Sequence, residues 1–272
     1  MNKLTTTLTR FLLVLVLIGT VLPAPIFAQN QALPGPVRQN VTFAATIAFD
    51  ASQANIFVLT LTGNVTSSTL VNGTIGQTVV FVISQDGTGS RTFAWPSNVG
   101  AAPKVLAAAS AITRASFRYD GVAWNAVNPI VLQQIAAYSN ATTTGTVIPE
   151  IAFSAAASRN YTAVCRLTWS SSNAAAAPSW SFSGPASPTA VLISSITPVT
   201  TSTLTLPAAS TAFDTYVANA ATVTTSTNFT DLVSLQLQNG TTAGTVQLEM
   251  KSTSASGTVT LQPGSGCIVA AQ

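Results

Sequence analysis

The chain has 272 residues, only 6% of them Asp, Glu, Lys or Arg, and it contains no histidine; an ordinary soluble domain carries roughly 25% charged residues. Ten basic and seven acidic side chains, a formal net charge of +3, cannot build the dense basic face that neutralises phosphates, so a nucleic-acid binder is excluded. A hydrophobic fraction of 47% with low net charge excludes a disordered chain, and the missing histidine argues against metal and acid–base enzymes.

Residues 1–28 read as a secretory signal peptide. Lys3 and Arg10 give a positive start, and Phe11 to Leu22 is apolar apart from Gly19 and Thr20. Pro23 and Pro25 break the run, and Ile26-Phe27-Ala28 ends in a small residue, so cleavage is expected between Ala28 and Gln29. The run is about 12 residues, short of the roughly 20 that a spanning helix needs, so no stable membrane span is expected after cleavage. Removal of Lys3 and Arg10 leaves the rest of the chain almost neutral. The expected location is extracellular or at the cell surface.

Short runs rich in Val, Ile, Thr and Phe, with turn signals every 8–12 residues, then predict an all-β chain of two β-sandwich or jelly-roll domains. No segment holds a helical apolar period. The first domain is expected over 38–128. Val41-Thr42-Phe43 with Ile47-Ala48-Phe49 reads as an opening strand, followed by strands at Ile56–Thr62 and Thr78–Ser84. Thr78–Ser84 is apolar enough to be buried on both faces. Asp86-Gly87 and Asp120-Gly121 read as hairpin turns, because Gly tolerates positive φ. Arg91–Trp95, Ala115–Tyr119 and Trp124 supply further strands, whereas Ala101–Ala111 reads as loop and strand start.

Residues 129–146 read as a linker, with Pro129 and the polar run Ser139–Thr146. The second domain, 147–272, shows strand-like segments at Ile148–Phe153, Tyr161–Trp169, Ser179–Phe182, Val191–Ile196, Phe229–Leu237, Gly244–Met250, Thr258–Leu261 and Cys267–Ala270. Eight short strands suit a jelly roll of two packed sheets. In Asp231–Gln238, Leu232, Ser234, Gln236 and Gln238 alternate with Val233, Leu235 and Leu237, giving one buried and one wet face.

Cys165 and Cys267 are the two cysteines, and an even count in an exported chain suggests a disulfide. First and last strands of a jelly roll are neighbours, which would let the two meet; the alternative is two separate buried thiols. The seven acids are scattered, so no carboxylate pair for glycosidase chemistry is visible. Asp86-Gly87-Thr88-Gly89 lacks both the Gly-Lys-Ser/Thr ending of a phosphate loop and the repeated acids of a calcium loop. No Gly-x-Ser-x-Gly elbow appears. No catalytic residue, metal ligand or cofactor is expected, and the chain reads as a non-enzyme. Trp95, Trp124, Trp169 and Trp180, with Tyr138 and Tyr216, have rings suited to stacking on sugars if exposed. Trp124 and Trp169 read as core, leaving Trp180 and Trp95 as candidate glycan-stacking residues.

Thr60-Leu61-Thr62-Gly63-Asn64, the run Gln85 to Pro96 (QDGTGSRTFAWP), and Tyr119-Asp120-Gly121 with Trp124 resemble a β-domain of bacteriophage tail-fibre and minor structural proteins. The second domain resembles their C-terminal jelly roll, which is similar to tumour-necrosis-factor and C1q heads. The residues that carry this are Tyr161–Leu167, Trp180–Thr189 and the stretch from Gly244 to Ser265. The resemblance implies a structural or receptor-contacting part of a trimeric fibre. Virion proteins do not normally carry a signal peptide, so the reading is a secreted structural or adhesive protein that self-associates. The alternatives are a carbohydrate-binding module, with a surface glycan as partner, and a tail-fibre-like virion component. Self-association has a physical motive as well: sheet edges are normally protected by charge, and this chain has almost none.

Overall fold

The chain winds between two sheets before it forms any hairpin. In the computed structural model, which describes residues 37–198, 204–205, 209–218 and 223–272, the first elements are β1 (Arg38–Val41), β2 (Thr46–Asp50), β3 (Ile56–Leu61), β4 (Ser67–Val71) and β5 (Thr78–Gln85). β1, β3 and β5 pair in parallel in one sheet, and β2 and β4 pair in parallel in the other. Each strand of one sheet thus serves as the crossover between parallel strands of the other, a link that a tight turn cannot make. The residues expected to form a single opening strand are therefore split between β1 and β2. The side chains between the sheets are large and aromatic: Phe49 packs edge-on against Phe57 and Phe81 at 5.1 and 5.0 Å.

The remaining strands of this half are β6 (Val99–Gly100), β7 (Ile112–Tyr119) and β8 (Trp124–Ala126), giving the sheet order β1-β3-β5-β7-β8-β6. β7 and β8 form a hairpin across Asp120-Gly121, as expected, with Gly121 at φ +103°. Asp86-Gly87 is not a hairpin. The antiparallel partner of β5 is β7, so residues 86–111 leave the sheet as a long excursion, and Arg91–Trp95 lies in it rather than in a strand. β5 also departs from its expected burial. It alternates between buried and half-buried positions, with one face on the core.

Residues 129–146 are not a linker. They contain β9 (Ile130–Gln133) and β10 (Tyr138–Asn140), both built into the larger sheet of the C-terminal half. Leu132 is buried in its core, and the polar run is braced rather than loose. The Asn140 amide donates to the Thr144 and Met250 carbonyls and to the Thr146 hydroxyl, while its oxygen accepts the Thr142 N–H and hydroxyl. Polarity marked this run as a linker, but its polar groups bond inward.

The rest of the chain forms β11 (Thr146–Ala155), β12 (Asn160–Ser171), β13 (Pro178–Ser183), β14 (Ala190–Pro198), β15 (Leu204–Thr205), β16 (Val217–Ala218), β17 (Phe229–Gln238), β18 (Gly244–Ser252), β19 (Val259–Leu261) and β20 (Gly266–Ala271). A four-stranded sheet, β11-β18-β13-β16, faces an eight-stranded sheet in which β12 is central. One edge of β12 pairs with β17, and the other is shared. β20 pairs with Tyr161–Arg166, and β19 pairs with Trp169–Ser171. Thr168 lies at the changeover. Its N–H donates to the Ser265 hydroxyl, which in turn donates to the Thr168 carbonyl, so a side chain completes the ladder where no strand does. The disulfide is present: Cys165 and Cys267 are a registered pair on β12 and β20.

The two halves have separate cores yet belong to one compact unit over 36–272. Ala101 N–H donates to the Ser154 carbonyl, and Ser154 N–H donates to the Ala102 carbonyl. The Ser154 hydroxyl accepts from Ala102 N–H and donates to the Val99 carbonyl. Arg159 reaches Asp120 at 2.6 Å. The chain is all-β among the described residues. The expected signal segment, with Ala28 and Gln29, lies outside them.

Candidate binding groove

A groove of about 650 Å³ opens between the excursion 86–111 and the strands β11 and β18. Its wall on one side carries Phe93, Trp95, Pro96 and Pro103, and on the other Pro149 and Phe153. The excursion holds its shape because Gln85, only 3% exposed, staples its two ends. The Gln85 amide donates to the carbonyls of Arg91 and Leu106, and its oxygen accepts the Arg91 N–H. Thr113 adds a further tie by accepting the Leu106 N–H. Asp86 closes the start of the loop. It accepts the Thr88 and Gly89 N–H groups and pairs with Arg91 at 3.0 Å. Arg91 and the Gly89 N–H hold the Asp86 carboxyl below the usual carboxylate range.

Trp95 lies half-buried in this wall. Its indole N–H donates to the Pro103 carbonyl at 2.8 Å, and its ring packs edge-on against Phe81, Phe93 and Phe117. Opposite, Lys104 donates to the Pro149 carbonyl at 2.8 Å and ties the excursion to β11. The groove is thus pre-formed, apolar in most of its lining, with Gln247, Thr245 and Ser154 as polar groups along one side. Among the described lining residues none is Asp, Glu, His or Cys, so the wall offers contact surface and hydrogen bonds rather than a proton shuttle. Among the described residues no group of three or more His, Cys, Asp or Glu is placed to hold a metal ion.

Trp180, the other candidate for sugar stacking, is corrected by the structure. It is 0% exposed, and its N–H donates to Asp231 at 2.6 Å inside the C-terminal core. Its position on β13 turns the ring inward, so no ligand reaches it. Trp124 and Trp169 are core residues, at 1% and 0% exposure. Tyr216 is half-buried, donates to Glu249 and carries the Lys251 ammonium 4.5 Å above its ring. Burial, then the Glu249 bond, raises its hydroxyl pKa. Tyr161 is pushed up to about 12, chiefly by burial. For Asp120, burial acts to raise the carboxyl. It is outweighed by the Ala123 and Val122 N–H groups, Arg159 and Asn125, and the net shift is downward.

The Gln85 staple was not recognised in the sequence. The available signal was a polar side chain at an inward position of an apolar strand, in phase with Val79, Phe81 and Ile83. Asp231 carries the same signal, in phase with Val233, Leu235 and Leu237.

Residues 39–124 match a family described as “Putative phage tail fibre C-terminal domain”. The match runs from β1 to the first residue of β8 and includes the whole excursion with Trp95. No curated protein matches the chain.

Proposed function

We propose that the protein is a non-enzymatic structural component of a phage-tail-like fibre that associates with copies of itself. The observation that carries this reading is the tail-fibre match over 39–124, which coincides with the coiled half of the fold. A groove lining without carboxylate, imidazole or thiol supports binding over turnover. The test is to purify phage particles from the producing culture by density gradient and search them for peptides from 37–272. Co-sedimentation is expected. Recovery only from the particle-free supernatant would overturn the virion role and favour secretion, for which the signal-like segment 1–28 is the support. Intact mass of the native protein then shows whether it begins at Gln29.

Trp95 favours a second reading, in which the groove holds a saccharide. An aromatic ring beside polar Gln247 and Thr245 suits a sugar, which has an apolar face and a hydroxylated rim. A glycan array is expected to give signal that is lost in both Trp95→Ala and Gln247→Ala. The second variant spares the aromatic core, so signal that survives it and disappears only with a destabilised Trp95→Ala would sink the saccharide reading.

A further inference from the structure

We infer that the outer face of the eight-stranded sheet docks on the same face of a second copy of this chain. The face is formed by β9, β20, β12, β17 and β14. It exposes six large aliphatic side chains, Val131, Ile268, Val164, Leu232, Ile196 and Leu192, each between 38% and 69% accessible. Strand register makes them contiguous. Val131 lies opposite Ile268, Ile268 opposite Val164, and Ile196 opposite Leu232. Scattered exposed aliphatics are ordinary, but a contiguous apolar patch marks an interaction site.

Two properties of the face lower the cost of covering it. Its hydroxyls already pair with one another: Ser194 with Ser234 at 2.7 Å, and Thr168 with Thr230 at 3.1 Å. They therefore lose little hydrogen bonding when water leaves. Among the described residues Arg166 is the only ionised side chain pointing out of these five strands, so an acidic or strongly basic partner finds almost nothing to match. Five strands at about 4.8 Å spacing and about 30 Å of strand length give roughly 700 Å². A stable pair needs about 800 Å² from each partner, which side-chain relief over that area supplies.

The choice of a second copy rests on self-complementary relief. Consider a two-fold axis lying in the interface parallel to β12, within the ~30° by which packed sheets cross. It exchanges the β20 side with the β17 side. Ile268 then faces the second copy's Ser234, because both lie beside Val164. Leu232 faces the second copy's Gly266, because both lie beside Arg166. A bulky side chain meets a small one at each position. Arg166 falls near the axis and faces its own copy, so it alone opposes the pairing. The inference deepens the reading of a self-associating fibre component and rests on it, but the pair is isologous and closes at two copies.

Sedimentation velocity on the purified chain at micromolar concentration tests it. A mass of two copies is expected. Leu232→Asp is expected to weaken pairing at least ten-fold without moving the melting temperature by more than a few degrees, since the side chain points to solvent. Ile268→Glu is the second disrupting variant if the first fails to fold. Val122→Asp, at an exposed aliphatic off this face, is expected to leave pairing unchanged. Arg166→Gln, or higher salt with the native chain, is expected to tighten it. An Arg166→Glu chain mixed with the native one is expected to pair preferentially with it. A monomer, a three-chain species without dimers, or a dimer that survives both disrupting variants would overturn this surface. A monomer that still co-sediments with particles overturns this surface and leaves the fibre reading standing.

Discussion

Trp180 and Asp231 are both fully buried, and the indole N–H of one donates to a carboxylate oxygen of the other. A buried polar group that loses its partner costs about 1–3 kcal/mol. Trp180→Phe keeps an aromatic ring but removes the N–H, so it is expected to lower stability by about that amount. At this chain length each kcal/mol lowers the melting temperature by about 2–4 °C, which calorimetry reads directly. Ser265→Ala acts at the strand changeover. It leaves the Thr168 N–H and carbonyl without their hydroxyl partner in a nearly closed site. A loss of about 1–3 kcal/mol is expected in a denaturant titration. Both features were partly legible in the sequence. The alternation in Asp231–Gln238 places Asp231 inside and Leu232 outside, the reverse of their polarity, and the burial pattern follows that phase. Which indole would meet the buried acid was not legible, because β13 and β17 lie in opposite sheets.

At the scale of elements, two cross-links do different work. The disulfide joins β12 to β20 over a sequence separation of 102 residues. Closing a loop of about 100 residues stabilises by up to about 4.7 kcal/mol in the chain-entropy model. Reduction is expected to shift the denaturant midpoint downward by a corresponding amount, and Cys165→Ser should match it without reductant. The Gln85 staple is local. Gln85→Ala is expected to cost at least about 2 kcal/mol, since it strands two carbonyls and one N–H. Amide exchange should rise across 86–111 while β12 stays protected. Exchange that rises uniformly would show that the excursion is not held separately. The disulfide was open to sequence reasoning because only two cysteines exist. The excursion was not, because Asp-Gly signals a turn without saying which strand comes next.

Over the whole molecule, scarcity of charge sets the response to pH. Asp50, Asp86 and Asp120 are all shifted downward, Asp50 first through the Ser52 hydroxyl. A lowered carboxylate pKa contributes stability above its unfolded value, near 3.9, and loses it as pH falls further. Tyr161 and Tyr216 are shifted upward, so their contribution is present below about 10 and fades as pH rises through the folded values. With no histidine, melting temperature is expected to be flat from about pH 5 to 8 and to fall on both sides. A change of many degrees inside that window would contradict the assignment. The two halves are also expected to melt as one, since the Ser154 bonds and the Arg159–Asp120 pair lock them together. Gly100→Ala, whose new Cβ would overlap the Tyr161 hydroxyl at this junction, is expected to cost about 1–3 kcal/mol and to lower that single transition.

The sequence by itself determined the all-β class, most strand positions in the C-terminal half, the cysteine pair and the inward phase of β17. These depend on local periodicity and on counting, which act within a few residues or on composition. Tertiary structure alone decided the parallel winding of the first half, the use of 129–146 as strands and the opposite fates of Trp95 and Trp180. Each depends on which distant strand a segment pairs with. A Trp on a strand has the same local signature whether its ring faces another sheet or a groove. The same holds for the outer face of the large sheet. Its aliphatics come from five strands spread over 131–268, and only register sets them side by side.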